Sequence, residues 1–275
     1  MIKWFWRRIS LAKAISNFYN TPQPFLAKSI LLARIVWNRR HICSETELVE
    51  QLAMVTALLR LPSSVEGSVV ECGCYMGGAT ANLSLAAKLV GRRFYALDSF
   101  QGLPEPKKDD ARHLCMNIGE FHTYTKGSIC GPLETVKANV AKYGAPSVCT
   151  FIEGYFDSTL PKFSEPVAFA FCDVDLRESL ETCLQYLWPL LPPNGLLFAH
   201  EAHHVEVASL FYDPAIWTGS VPGLVGAGSG LGLLPMPDGS FGSALGYTIK
   251  SPSITVESME LGSKERYKVS LVSTK

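Results

Sequence analysis

The segment 71–78 has a glycine spacing that could hold a small anion. It follows an apolar run, contains Gly73, Gly77 and Gly78, and precedes a helical pattern. Glycine lets the backbone approach a ligand closely, and the first turn of a helix offers free N–H groups. The spacing G-x-x-x-G-G differs from the G-x-G-x-x-G of dinucleotide sites, so a carboxylate is a better candidate ligand than a pyrophosphate. A plain structural turn is the alternative.

An acid stands at the end of the next apolar run. Asp98 lies 25 positions after Gly73, and nucleotide-binding α/β folds place an acid there for the two ribose hydroxyls. The alternative is that Asp98 caps the element that follows. Together, the glycine turn and Asp98 indicate a nucleoside ligand with a free carboxylate, and S-adenosylmethionine has that composition.

Alternating apolar and helical stretches position these residues. The apolar runs are continuous, which is typical of parallel strands buried on both faces. Strands are predicted at 68–73, 92–98, 148–153, 167–173 and 195–200, and helices at 25–38, 45–60, 78–90, 131–143 and 177–191. The pattern predicts an α/β fold with a doubly wound, mostly parallel sheet. Four strands end in Gly73, Asp98, Asp173 and His200, which we expect at one rim, where such sheets bind ligands.

The remaining segments are predicted to be loops and closing strands. The charged insertion 104–130 is interpreted as a loop that could cover an acceptor. A glycine-rich stretch, 218–246, is typical of a long loop. Closing strands are expected at 243–250 and 266–272.

Five motifs occur in the same order as in one known family. They are Glu71-x-Gly73-x-x-x-Gly77-Gly78, Asp98-Ser99-Phe100-Gln101-Gly102-Leu103-Pro104, the stretch from Glu134-Thr135-Val136 to Tyr143-Gly144, Gly154-Tyr155-Phe156 with Thr159-Leu160-Pro161, and Asp173-x-Asp175-x-x-Glu178-Ser179. In these motifs the sequence resembles the macrocin-O-methyltransferase-like family of class I S-adenosylmethionine-dependent methyltransferases, over about 45–201. The resemblance implies a Rossmann-like fold and methyl transfer to a hydroxyl of a sugar or glycosylated natural product.

The resemblance also implies where the cofactor S-adenosylmethionine binds. The turn after the first strand would hold the methionine part, the acid after the second strand the ribose, and the pair after the third strand would lie near the adenine. The cofactor-binding residues implied in this way are Glu71, Gly73, Tyr75, Gly77, Asp98, Ser99, Phe100, Gly154, Tyr155 and Asp173. Tyr75 stands where the family often has tryptophan.

A divalent metal is a further implication of the resemblance. Family members bind magnesium through an acid after the fourth strand and an Asp-Asp pair after the fifth. Asp173 matches the first acid, whereas His200 and Glu201 occupy the positions of the pair. Imidazole is a poor magnesium ligand, and manganese, iron or zinc accept it better. Asp173, His200 and Glu201 are therefore the predicted metal ligands, with the identity of the metal, and its use at all, left open.

Asp173 and His200 are also the predicted catalytic residues. An alcohol is a weak nucleophile until its proton is withdrawn, and a metal or a neighbouring base can do this. His200 would be either a ligand or the base. The structural alternatives are that Asp173 and Asp175 cap the following helix and that His200 is a hydrogen-bonded histidine at a strand end.

The stretch 200–204 also fits H-E-x-x-H, the pattern of zinc proteases. That mechanism requires both histidines on one face of a helix, but a turn and a strand precede His200, which disfavours it. Two other functions remain as alternatives: a non-catalytic cofactor-binding or membrane-tethered scaffold, and a metal-dependent hydrolase that uses this cluster. A histidine-rich metal site could draw on His200, Glu201, His203 or His204. The other histidines, His41, His113 and His122, are predicted to be solvated.

Charge is distributed unevenly along the chain. The first 44 residues hold eight basic side chains and no acid, which leaves 17 basic against 25 acidic residues in the remainder. This asymmetry predicts an arm for an anionic surface. We expect a basic helical extension or lid at 1–62 and the methyltransferase domain at 63–275. The aromatic run 4–6 beside two arginines makes peripheral membrane contact through residues 1–24 the alternative to a docked lid, and no nucleic-acid partner is predicted.

Composition limits the class of protein. An apolar content of 47% in 275 residues excludes disorder for most of the chain. No run reaches the roughly 18 uncharged apolar residues of a membrane span, and no secretory signal is expected. Eight cysteines without a C-x-x-C pair indicate a reducing, cytoplasmic compartment, with a peripheral membrane location as the alternative. A homo-oligomer is left open.

Overall fold

Six strands form one sheet, and two further strands form a separate hairpin. The computed structural model describes residues 2–116, 119–217, 222–223 and 243–250. The strands are β1 (Ser68–Cys72), β2 (Phe94–Asp98), β3 (Arg112–Cys115), β4 (Glu120–Thr123), β5 (Cys149–Glu153), β6 (Val167–Cys172), β7 (Leu196–Ala199) and β8 (Gly246–Ile249). The sheet order is β5-β2-β1-β6-β7-β8, and β3 pairs with β4.

The sheet confirms the predicted doubly wound topology. All neighbours among the first five sheet strands are parallel, and β8 is antiparallel to β7. The strand order runs from β1 to β2 and β5 on one side and to β6 and β7 on the other. The switch point therefore lies between β1 and β6, and ligands of such sheets bind at the carboxyl ends of the strands beside it.

Helices cover both faces of the sheet. They are α1 (Ile2–Tyr19), α2 (Phe25–Asn38), α3 (Leu48–Arg60), α4 (Gly78–Leu89), α5 (Leu133–Tyr143), α6 (Phe156–Thr159), α7 (Arg177–Leu187) and α8 (Val205–Leu210). Successive strand residues point to opposite faces, so Val69 and Phe169 join a core with α1 to α5, whereas Val70 and Ala170 join a core with α7 and α8.

The N-terminal helices pack on the sheet domain. The fully buried Phe18 of α1 belongs to the same core cluster as the strand residues. The buried ammonium of Lys28 donates hydrogen bonds to the carbonyls of Tyr19 and Thr21, which ties α2 to the end of α1. The division of the chain at residue 62 stays a prediction. In the described part of the chain, no helix combines the length and apolar character needed to cross a membrane.

The segment 104–130 contains an antiparallel hairpin of β3 and β4 that the sequence did not predict. One expectation for this segment is wrong, since His113 is not solvated: its side chain is fully buried, with Nε2 2.6 Å from Oδ1 of Asp110. His41 and His122 are exposed, as predicted. The predicted strand 266–272 and most of the glycine-rich stretch 218–246 lie outside the described residues.

Candidate active site at the sheet switch point

The carboxyl ends of β1, β2, β6 and β7 border a cavity of about 640 Å³. Its lining includes eight of the predicted site residues: Gly73, Tyr75, Asp98, Ser99, Tyr155, Asp173, His200 and Glu201. The other four, Glu71, Gly77, Phe100 and Gly154, are not among the lining residues. The structure thus brings Asp98, Asp173 and His200 together at the predicted rim.

Glycine is required where the turn after β1 approaches β6. Gly73 has a φ of +87°, and a Cβ built on it would lie 1.8 Å from the backbone oxygen of Asp173. Gly77 also has a positive φ, but a Cβ there would meet Val136, so this glycine serves helix packing rather than the cavity wall. Gly78, at the start of α4, lines the cavity in its place.

The carboxylate of Asp98 fixes the turns around it. It accepts hydrogen bonds from the backbone N–H of Cys74 (2.7 Å) and of Phe100 (2.8 Å). Burial raises the pKa of Asp98, and these backbone donors oppose the rise. Each carboxylate oxygen has two acceptor positions, so Asp98 retains acceptor capacity on the cavity side for the hydroxyls of a ribose.

Glu71 is a fully buried acid on β1 whose two carboxyl oxygens have no hydrogen-bond partner among the described residues. Burial, together with the negative charges of Asp173 and Asp98, raises its pKa to about 8. An unpartnered buried carboxyl group is stabilised by a nearby cation. The methionine part of S-adenosylmethionine carries an ammonium and a sulfonium, so the position of Glu71, two residues before the cavity-lining Gly73, fits that ligand.

Left-handed backbone conformations follow four of the strands. Four of the six described non-glycine residues with positive φ follow strands at this rim: Tyr75 after β1, Phe100 after β2, Asp175 after β6 and Glu201 after β7. Each costs of the order of 1–3 kcal/mol. Their concentration at the carboxyl rim, where Tyr75, Asp175 and Glu201 line the cavity, is typical of a site whose geometry is fixed by the surrounding fold.

His200 is held among three carboxylates. Its Nδ1 lies 2.9 Å from Oε1 of Glu201 and 3.3 Å from Oδ1 of Asp173, and its Nε2 lies 3.4 Å from Oε2 of Glu50. Burial works against the charged ring, but the carboxylates outweigh it and hold the pKa of His200 well above its usual value. Burial likewise opposes ionisation of Glu201, yet the contact with His200 lowers its pKa to about 2.

Sequence reasoning missed the contribution of the N-terminal segment. The loop before α3 lines the cavity through Cys43, Ser44, Glu45 and Thr46. Thr46 donates a hydrogen bond of 3.3 Å from Oγ1 to Oδ2 of Asp173. The sequence predicted only that a helix starts near residue 45, and no local signal indicates that this start faces a strand end over 120 residues later.

The H-E-x-x-H stretch 200–204 does not lie on a helix. His200 directly follows β7, Glu201 has a φ of +55°, and His204 is the residue that precedes α8. The two histidines therefore do not share a helical face, which the H-E-x-x-H mechanism requires.

Comparisons with known proteins agree with this geometry. The model of the macrocin O-methyltransferase (TylF) family matches residues 48–211. The structure of the O-methyltransferase NovP is similar in fold, with a TM-score of 0.52 and 19% identity over 74% of this chain and 78% of that chain. The calicheamicin methyltransferase CalS11 has a TM-score of 0.46 and 20% identity over 72% and 78%. No curated protein sequence matches the chain.

The matched segment spans more than half of the chain and includes every element that borders the cavity except the loop 43–46 before α3. The chain thus belongs to the macrocin O-methyltransferase family and is an S-adenosylmethionine-dependent O-methyltransferase.

Proposed function

We propose that this O-methyltransferase acts on a hydroxyl of a sugar or glycosylated natural product, with Asp173 and His200 handling the proton that the hydroxyl loses. The observation that supports it is that Asp98, Asp173 and His200 line the same cavity. Relatives named as macrocin and calicheamicin methyltransferases support the substrate class only by analogy. The bound cofactor would supply an electrophilic methyl group on sulfur.

The cofactor would extend from β1 to β2. Gly73 allows the turn after β1 to approach the methionine carboxylate, Glu71 offsets the positive charge of that part, and Asp98 accepts the ribose hydroxyls. Tyr155 lines the same cavity and offers an aromatic face for the adenine. The opposite part of the cavity, bordered by Asp173 and His200, would then receive the acceptor.

Proton transfer would be the task of His200. Because the pKa of His200 is held well above its usual value, the ring is largely an imidazolium at neutral pH, and only the deprotonated fraction of the protein would accept the proton of the hydroxyl. The carboxylates of Glu201 and Glu50 would stabilise the imidazolium that forms. Asp173, 3.3 Å from the same ring, would orient the acceptor hydroxyl. In-line displacement also demands a fixed approach angle, which the packed strand ends supply.

The residues present do not fit magnesium. Oxygen ligands are preferred by this ion, whereas Nδ1 of His200 lies between the carboxylates of Asp173 and Glu201. We therefore derive no step through magnesium at this position. The predicted manganese, iron or zinc ion at Asp173, His200 and Glu201 stays a prediction.

Mass spectrometry of products tests the function. The full chain is incubated with S-adenosylmethionine and a panel of nucleotide sugars and glycosides, and the products are scored for one added methyl group. His200→Ala and Asp173→Asn should lower the rate by roughly 100-fold or more, whereas the exposed His41→Ala should leave it unchanged. Binding of S-adenosylhomocysteine without any methylated product would favour the scaffold alternative instead.

A further inference from the structure

A second cluster of ligating side chains lies beside the cavity, where the hairpin meets the segment after β7. The Sγ of Cys115 and one ring nitrogen each of His203 and His204 lie within 4.8 Å of one another. Oε2 of Glu201 adds an oxygen 3.2 Å from Nε2 of His204 and 3.7 Å from Nε2 of His203. We propose that Cys115, His203, His204 and Glu201 bind a zinc ion that fastens the hairpin to the active-site rim.

Two of the ligand–ligand separations match those of a tetrahedral zinc site. With zinc–nitrogen and zinc–oxygen bonds of about 2.0–2.2 Å, neighbouring ligand atoms of a tetrahedron stand roughly 3.3–3.6 Å apart. The separations of 3.2 and 3.7 Å between Glu201 and the two histidines are close to these values. The cysteine lies on the hairpin and the two adjacent histidines follow β7, and their three ligand atoms, within 4.8 Å of one another, would move closer together to hold the ion.

Buried atoms without partners point to a missing cation. His204 is fully buried and Cys115 is 5% exposed. Nε2 of His204 forms no hydrogen bond among the described residues, although a carboxylate oxygen lies beside it. Such an atom is costly unless something fills its coordination. The cluster therefore offers a nitrogen lone pair, a thiol and a carboxylate oxygen around one point.

A neighbouring hydroxyl sets the tautomer that a metal requires. The Tyr124 hydroxyl lies 3.4 Å from Nδ1 of His204. If Nδ1–H donates to that oxygen, the lone pair of Nε2 is left for the metal, which is the usual arrangement around metal-bound histidines. The ring of His113 packs edge-on against both Tyr124 and His204, at centroid distances of 5.0 and 5.6 Å, and keeps the imidazole in place.

The donor set selects zinc over magnesium. Thiolate and imidazole suit zinc, whereas magnesium requires oxygen ligands. Binding forms a zinc–sulfur bond and releases the thiol proton of Cys115 to solvent, so one thiolate and one carboxylate balance the two charges of the ion. Four protein ligands leave no open coordination position, which indicates a structural role.

The backbone already joins the same two segments. Met116 N–H donates to the carbonyl of His203 at 2.9 Å, and Cys115 forms an isolated bridge with His204. Glu206 also accepts a hydrogen bond from the N–H of Leu114. A zinc ion there would lock the orientation of Glu201, which uses its other oxygen to contact His200. The zinc content of the resting protein can be measured whether or not it transfers methyl groups.

Metal analysis of the untagged, purified full chain tests the proposal. We expect one zinc per chain after reconstitution with zinc chloride, and a cobalt derivative with a thiolate-to-metal charge-transfer band and tetrahedral ligand-field absorption. Cys115→Ser and His204→Asn should weaken binding by roughly 10–100-fold or more and abolish the charge-transfer band or its tetrahedral pattern. The exposed Cys130→Ser is the matched control and should retain both signals.

Three results would overturn the assignment. One is a wild-type chain that takes up no zinc at stoichiometric concentration. Another is zinc retained in Cys115→Ser but lost in Cys183→Ser, which would move the site to the buried cluster of Cys72, Cys172 and Cys183. The third is a cobalt spectrum of the wild-type chain without a thiolate-to-metal charge-transfer band. This result can be obtained even if Cys115→Ser does not fold.

Discussion

A Cβ atom on Gly73 would lie 1.8 Å from the backbone oxygen of Asp173. The turn after β1 and the end of β6 therefore meet at backbone contact, without room for any side chain at residue 73. This contact sets the distance between the turn at Gly73, proposed to hold the cofactor, and Asp173, proposed to border the acceptor.

Replacement of Gly73 by alanine should separate these two strand ends. Gly73→Ala combines an unfavourable positive φ with a backbone clash, so we expect a loss of stability of more than about 2 kcal/mol and at least roughly tenfold weaker binding of S-adenosylhomocysteine. Urea unfolding and titration calorimetry measure the two effects. Gly91→Ala is the control, since Gly91 also has a positive φ but nothing within 4 Å of a Cβ; its affinity should be unchanged.

Removal of the charge of Asp98 should weaken cofactor binding. Asp98→Asn keeps the size of the side chain but halves the acceptor oxygens, one of which would bond a ribose hydroxyl. Hydrogen bonds to a charged group contribute about 1.5–3 kcal/mol, so the Kd of S-adenosylhomocysteine should rise roughly 10- to 150-fold by calorimetry. An exposed acid outside the cavity lining provides the comparison, and Asp109→Asn should bind like wild type. Equal affinities for both variants would contradict the ribose assignment.

Glu71 should make stability depend on pH. Its pKa is raised from 4.5 in the unfolded chain to about 8, so the folded form retains a proton that the unfolded form loses. The resulting contribution is fully present below about pH 4.5 and is lost as pH rises through 8, by up to roughly 5 kcal/mol. The amide of Glu71→Gln does not ionise, so this variant lacks the pH-dependent contribution to the free energy of unfolding.

The measurement is urea unfolding of both chains at pH 5.5 and 8.5. Relative to Glu71→Gln, the wild type should lose free energy of unfolding at the higher pH, because only the wild type must ionise a buried group. A difference between the two chains that stays constant with pH would show that Glu71 is ionised in the folded protein throughout.

Substitution of His200 by aspartate should create a response to magnesium. His200→Asp restores the acid pair that the family has after this strand and removes the imidazole between Asp173 and Glu201. Close carboxylates repel one another unless a cation joins them, so magnesium chloride should raise the Tm of this variant by several degrees and leave the wild type unchanged. His200→Asn, without the added charge, should not respond. A wild-type Tm that rises equally would mean that His200 is compatible with magnesium.

The basic N-terminal segment 1–24 should bind anionic vesicles if it forms a peripheral membrane contact. Deletion is a poor test because Phe18 is fully buried in the core and its loss would destabilise the fold. Arg7→Gln combined with Arg8→Gln changes charge alone and should lower co-sedimentation with phosphatidylserine vesicles several-fold. Lys13→Gln is a single-charge control. Vesicle binding that both variants retain in full would contradict the electrostatic contact.

The sequence was sufficient for the sheet because the signal there is local. Each buried run, such as 167–173, carries enough apolar residues to specify a strand within one or two positions of the observed β6. The β3–β4 hairpin was missed because all four residues of β4 are exposed, so no apolar alternation marks it. The hairpin instead contacts the segment after β7 through backbone hydrogen bonds.

Burial by distant segments also explains the error at His113. Its neighbours along the chain are charged and polar, which is typical of solvated loops. The side chain is nevertheless enclosed by Tyr124 and by His204, the latter 91 positions away. The same reasoning applies to Thr46 and Glu50: both meet strand ends far along the chain, and no spacing within a single helix records such a contact.

Glu50 links the proposed catalytic rim to a segment that is synthesised late. This helix residue contacts His200 through Oε2, while its Oε1 accepts hydrogen bonds from the Ser243 hydroxyl and the Ala244 N–H. A nascent chain that has emerged only to about residue 200 would lack those two donors. In that chain His200 would contact a Glu50 whose Oε1 has no hydrogen bond from residues 243 and 244. The hydrogen bonds that anchor Glu50 can therefore form only after residues 243 and 244 have left the ribosome.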